Sequence, residues 1–170
     1  SILAAIGGVI APIFAPLGWG NWKMAVAAVT GLIAKENVVA TFGVLFGFAE
    51  VAEDGAEIWG TLATTMTAVA AYSFLVFNLL CAPCFAAMGA IKREMNNTKW
   101  FWFAIGYQTL LAYVVSLCVY QIGTLVTTGA FGVGTVVAFL FVIGFIYLLF
   151  RPYKESETLE VHMKGMAGAK

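Results

Sequence analysis

Long apolar runs alternate with short polar interruptions along this chain, and several of the runs are long enough to cross a bilayer. One crossing takes about 20 apolar residues for a hydrocarbon core about 30 Å thick. Residues 24–48, 72–91, 100–122 and 131–150 are read as four spans. The stretch from Ile58 to Ile91 holds no charged residue. Its second part is read as the span, and Ile58 to Ala71, rich in Thr and Ala, as an arm leading into it. Residues 1–22 are also uncharged, but Gly7, Gly8, Pro12, Pro16, Gly18 and Gly20 interrupt them. Proline removes a helical hydrogen bond and clashes with the preceding turn. This segment is therefore expected to be broken, re-entrant or interfacial, an arrangement tolerated where protein or water covers the exposed backbone. Within it Gly7, Ala11 and Ala15 form a small-residue ridge suited to close helix contact. No series of short alternating strands suggests a barrel. The expected fold class is all-α, a polytopic transmembrane helical bundle over residues 1–150 with a polar tail over 151–170.

Composition supports a membrane setting. The chain is 62% hydrophobic and 11% charged, against about 25% charged residues in a soluble domain, and its mean hydropathy is +0.92. The lipid bilayer is its natural solvent. A formal net charge of zero gives no footprint for nucleic acid. All three cysteines lie in apolar runs, which argues against an extracellular disulfide framework. The chain starts at Ser1 without a charged leader, so a signal peptide is not expected and a longer parent polypeptide is. Lys23, the group Lys92, Arg93 and Lys99, and the pair Arg151 and Lys154 fall on one side of the four-span arrangement. The acidic stretch with Glu50, Glu53, Asp54 and Glu57 falls on the other. Positive residues concentrate on the cytoplasmic side, which places the C-terminus and its tail inside.

Two polar constellations interrupt the apolar runs. In FNLLCAPCFAAMGAIKRE, residues 77–94, the 100° helical step puts Cys81, Cys84 and Met88 on one face with Asn78 at its edge. Pro83 interrupts the helix between them. Thiolate and thioether suit softer transition metals, and oxygen donors suit harder ones. An ion in transit is best held weakly at several sites. A cysteine in an apolar helix serves equally well as a small buried hydrophobe. The second constellation is Lys35-Glu36-Asn37, in the middle of the first expected span. A charge at such a depth costs about 2.5–3.5 kcal/mol on insertion scales and marks a functional candidate. A discontinuous helix near the midplane is also a pointer to a transporter site. Glu36 is the candidate carboxylate ligand or proton acceptor, and Lys35 the candidate structural partner. The alternative, with both at the membrane surface, leaves residues 37–48 too short to cross. Tyr107, Gln108, Tyr113, Ser116 and Gln121 decorate the third span, either lining an interior or bonding helix to helix. Cys118 is read as packing. No P-loop motif occurs and no nucleophile and base pair is evident, so the chain is not expected to be an enzyme.

Four stretches in order, SILAAIGGVIAPIFAPLGWGNW, VTGLIAKENVVATFGVLFG, AAYSFLVFNLLCAPCFAAMGAIKRE and WFWFAIGYQTLLAYVVSLCVYQIG, resemble the C-terminal membrane half of the bacterial ferrous iron transport protein B family. The resemblance covers most of residues 1–123. It implies a second gate region of an inner-membrane importer whose transported substrate is Fe2+. The GTP site and the first gate region would lie on an N-terminal part beyond this chain, and both would be partners. Self-association through surfaces meant for that part is a further expectation. Cys84 matches the family's Pro-Cys position, and Lys35 and Glu36 its Lys-Glu pair; Cys81 and Asn37 depart from the usual residues. The residue pattern and the resemblance together give a candidate metal set of Cys84, Glu36, Cys81 and Met88, with Lys35, Asn37, Asn78 and Pro83 as candidates along the pathway or gate. A permease for nucleosides or other solutes built on a similar gate, and a non-transporting scaffold or regulatory subunit, remain as alternatives.

Overall fold

The computed structural model describes residues 2–31, 37–48 and 58–152. The elements are α1 (Ile2–Phe14), α2 (Trp22–Gly31), α3 (Asn37–Phe46), α4 (Trp59–Thr65), α5 (Ala68–Leu80), α6 (Phe85–Met95), α7 (Thr98–Thr128) and α8 (Val133–Phe150), with a 3-10 turn, Ala15–Leu17, after α1. Among the described residues three segments are long and apolar enough to cross a membrane: α5 with α6 over Ala68–Met95, then α7, then α8. A fourth arises if α1 and α2, bent by 93° to each other, count as one broken span. The all-helical bundle with a broken or re-entrant N-terminal element is therefore the observed fold.

Local chemistry sets the ends of α7, the longest helix. Asn97 Oδ1 accepts from the backbone N–H of Lys99 and Trp100 at 3.1 and 3.4 Å, satisfying donors that a helix start leaves open. Gly129, at φ 69°, closes it. α5 packs along α7 through two fully buried serines. Ser73 Oγ and Ser116 Oγ lie 2.7 Å apart, Ser116 Oγ donates to Ser73 O at 2.7 Å, and Ser73 Oγ reaches Ser116 O at 3.1 Å. Small polar residues let the two backbones approach, and each interhelical bond contributes about 0.6 kcal/mol in a membrane. α8 lies against α7 through buried Thr135 and Ala138, and most of its remaining surface is apolar and exposed.

α7 also explains how the N-terminal bend is tolerated. Tyr113 OH donates to Ile13 O at 2.7 Å, and Gln121 Nε2 donates to Pro16 O at 2.9 Å. Side chains of the long helix thus cover carbonyls at the break, the condition under which irregular backbone survives at membrane depth. Tyr113, Ser116 and Gln121 are helix-to-helix braces, one of the two roles their sequence positions allowed. Behind the bend, Trp19 is buried against Phe14, Phe74 and Phe77, with ring centroids 4.3, 5.1 and 5.4 Å away. Of the expected small-residue ridge, Gly7 and Ala11 are buried while Ala15 is exposed; Phe14 takes the third buried position.

Two expectations from the sequence are corrected. Residues 24–48 do not form one straight span, because α3 folds back along α2. Lys23 Nζ, at the start of α2, sits 4.3 Å from the centroid of Phe46 at the end of α3, and Thr30 Oγ1 lies 3.1 Å from Thr41 Oγ1 between them. Each helix has 10 residues, about 15 Å of rise, half of what a crossing needs. The second correction follows from the first. Met24 shares a cavity with Tyr120, toward the C-terminal end of α7, whereas Lys92, Arg93 and Lys99 flank its start. Lys23 is therefore at the opposite end of the bundle from those three. The acidic stretch from Glu50 to Glu57, and the tail from residue 153 onward, lie outside the described residues.

Candidate functional site at two helix breaks

The first break lies between α5 and α6. α5 stops at Leu80, and Cys81 is already extended at φ −62°, ψ 169°. Cys84, at φ −59°, ψ 159°, caps the start of α6. Proline at 83 disfavours helical geometry at the residue before it and offers no N–H, so the four residues from Cys81 to Cys84 leave the helix altogether. Cys81, Cys84 and Met88 consequently do not share the face of one continuous helix, and that expectation is corrected. Cys81 belongs to the end of α5: its N–H donates to Phe77 O at 2.8 Å and its thiol lies 3.4 Å from Asn78 O. Cys84 belongs to α6, its carbonyl accepting from Met88 N at 2.9 Å.

Cys81 and Met88 still share a cavity, from the two sides of the break rather than along a face. Both line an apolar cavity of about 240 Å³, together with Phe14, Ala28, Phe77 and Thr109. Cys81 is buried there, and Cys84, half-buried, is not part of the lining. Pro83 is half-buried within the break. Cys118 lies far along α7, its sulfur 3.6 Å from Ala138 O of α8, the packing role expected of it.

The second part of the site is the facing ends of α2 and α3, which lie against the first break. A Cβ added at Gly31 would lie 3.0 Å from Asn78 Oδ1 and 2.9 Å from Val38 Cγ2, so the absence of a side chain at Gly31 lets the end of α2 close on both. Asn78 holds this position by donating from Nδ2 to Phe74 O at 2.9 Å, leaving Oδ1 toward the hairpin. Lys35 and Glu36 lie outside the described residues, as does the side chain of Asn37, whose backbone begins α3. The chain on both sides of the Lys-Glu pair, Gly31 and Val38, is thus seated beside the α5–α6 break. Among the described residues no group of three or more His, Cys, Asp or Glu side chains gathers as a ready metal centre.

The sequence reading missed Thr109, which lines the sulfur-bearing cavity, and the Thr30–Thr41 contact inside the hairpin. A signal for the first was present. Thr109, Tyr113, Ser116 and Tyr120 recur at spacings of four, three and four, one stripe of α7, and each contacts or faces the N-terminal half of the bundle.

These elements define a multi-pass helical membrane protein in which the facing ends of α2 and α3 lie beside the interruption between α5 and α6. The chain belongs to the family described as Gate: Nucleoside recognition, whose profile matches residues 1–98. It is also similar to part of several curated iron transporters. It is 40% identical over 125 residues to the Fe(2+) transporter FeoB of Methanocaldococcus jannaschii, covering 74% of this chain and 18% of that protein. It is 35% identical over 135 residues to the Fe(2+) transport protein A/Fe(2+) transporter FeoB fusion protein of Porphyromonas gingivalis, covering 74% and 16%. With FeoB of Helicobacter pylori it shares 33% over 117 residues, covering 69% and 18%. The chain therefore spans less than a fifth of the length of these relatives. No solved structure matches it.

Proposed function

We propose that this chain forms part of the membrane path of a ferrous iron importer, with Fe2+ as the transported substrate. The observation that carries the reading is the meeting of the hairpin flanks, Gly31 and Val38, with Asn78 beside the α5–α6 break, in a chain 40% identical to a protein named as an Fe(2+) transporter. Sulfur from Cys84, Cys81 and Met88 and a carboxylate from Glu36 would offer the mixed donors that a borderline ion accepts. They would act as successive weak positions rather than one closed cage, since a closed cage traps its ion. Asn78, Asn37, Pro83 and Lys35 would shape the gate around them.

In this reading Lys92, Arg93, Lys99 and Arg151 favour a cytoplasmic side for the α6–α7 turn and the C-terminus in a bacterial inner membrane. The α2–α3 hairpin then enters from the outer side. The relatives' greater length leaves room for a GTP-hydrolysing part and a first gate region as partners, and the exposed apolar flank of α8 for self-association. The family's description, Gate: Nucleoside recognition, favours a second reading, a permease for nucleosides or related solutes. Uptake of radiolabelled ferrous iron by cells carrying the complete transporter separates the two. A large excess of mixed nucleosides is expected to leave uptake unchanged, while unlabelled ferrous iron suppresses it. Suppression by nucleosides, or nucleoside uptake by the same cells, favours the second reading.

A further inference from the structure

The start of α7 carries a feature that iron transport does not use. Lys92 and Arg93 in the last turn of α6 and Lys99 in the first turn of α7 flank the two-residue turn Asn96–Asn97. All three are exposed, and a single carboxylate, Glu94, lies among them. Directly above Lys99 a ladder of apolar side chains climbs one face of α7. Trp100 and Phe103 meet edge to face with centroids 5.6 Å apart, and Phe103 and Tyr107 stack at 6.2 Å. Leu110 continues the line. These four are 60%, 62%, 58% and 64% exposed. With 100° per residue, Lys99, Trp100, Phe103, Tyr107 and Leu110 fall within about a third of the helix circumference. The ladder runs about 16 Å from Lys99 to Leu110 at 1.5 Å per residue.

We propose that this face binds an anionic phospholipid, its phosphate among Lys92, Arg93 and Lys99 and one acyl chain lying along the Trp100–Phe103–Tyr107–Leu110 ladder. The cations supply the charge complement, since basic residues next to a membrane helix attract anionic headgroups. The ladder separates a lipid from a soluble acidic protein as the occupant. Aromatic residues at headgroup level present an apolar body with a polar or wet edge, but Tyr107 and Leu110 continue well into the hydrocarbon region, where a soluble acidic domain does not reach and an acyl chain does. The rings order one another along the helix without support from the bundle, leaving a fixed apolar track beside the cations.

Native mass spectrometry of the purified complete protein, with added dioleoylphosphatidylglycerol or dioleoylphosphatidylcholine, tests this. The wild-type protein is expected to retain one phosphatidylglycerol in preference to phosphatidylcholine. Neutralising the cations in K92Q/R93Q/K99Q is expected to weaken phosphatidylglycerol retention about fivefold for each charge removed and to leave phosphatidylcholine unaffected. F103A/Y107A, which keeps every cation, is expected to weaken both lipids alike. Equal retention of the two lipids by the wild type overturns the proposal. So does unchanged phosphatidylglycerol retention in the triple variant, which would leave a protein partner as what the basic turn recognises.

Discussion

Converting Glu36 to Gln in the complete transporter is expected to lower ferrous iron uptake at least tenfold, and Cys84→Ser by a comparable factor, at unchanged protein level in the membrane. The scale follows from metal sites generally, where loss of even an outer partner of a ligand reduces affinity or activity about 10- to 100-fold. Glu36→Gln keeps the size of the side chain and removes its charge, so a fall in uptake reports the carboxylate rather than packing. Cys84→Ser exchanges a soft donor for a hard one at a half-buried position without leaving a large cavity. Cys118→Ser is the control. Cys118 packs between α7 and α8, its sulfur near Ala138 O, and its replacement is expected to leave uptake within about twofold, the scale of a change that touches no functional group. Radiolabelled iron uptake with immunoblotting of the membrane fraction reads all three. Normal uptake in both the Glu36 and Cys84 variants would remove them from the path.

The largest expected effect on stability is at the N-terminal bend. Gly18 sits at φ 86°, ψ 0°, the left-handed region that costs an ordinary L-residue about 1–2 kcal/mol. A Cβ there would also fall on the ring of Tyr120, and overpacking of this kind costs about 1–3 kcal/mol more. Gly18→Ala is therefore expected to remove roughly 2–5 kcal/mol, a large share of the 5–15 kcal/mol typical of a folded protein. Gly47 separates the two contributions. It has nearly the same φ, 85°, but nothing within 4 Å of an added Cβ, so Gly47→Ala carries the backbone contribution alone. Thermal unfolding of the purified protein in detergent should show a clearly larger fall in midpoint for Gly18→Ala than for Gly47→Ala. Equal falls would mean that the packing of the bend against Tyr120 contributes nothing.

Much of the bundle was legible because α7 and α8 announce themselves by uninterrupted apolar length, although α7 runs on to Thr128, past the expected end at residue 122. The N-terminal bend was legible for a different reason: Pro16 and Gly18 fall where the helix gives way, although α1 runs through Pro12. The α2–α3 hairpin was not. Counting apolar residues measures contour length and says nothing of whether the chain runs straight or doubles back. The contacts that favour doubling back, Lys23 with Phe46 and Thr30 with Thr41, join residues 23 and 11 positions apart. Lys23 was assigned to the wrong end for the same reason. At the α5–α6 break the sequence drew attention to the interruption but not to its geometry. Placing Cys81, Cys84 and Met88 on one face assumed that helical periodicity survives Pro83, whereas the proline's restriction on Ala82 ends the helix first. Thr109 was hidden because a threonine in an apolar helix looks unremarkable until the stripe it shares with Tyr113, Ser116 and Tyr120 is traced.

The central claim is that ferrous iron passes where the hairpin meets the α5–α6 break. The most direct measurement is an anomalous-scattering map from crystals of the complete transporter soaked anaerobically with ferrous iron. The account predicts an iron peak beside Asn78, in contact with the sulfur of Cys84 or the carboxylate of Glu36. Iron bound only elsewhere in the membrane region, with Cys84 turned to the acyl chains and Glu36 separated from it by packed aliphatic side chains, would contradict it.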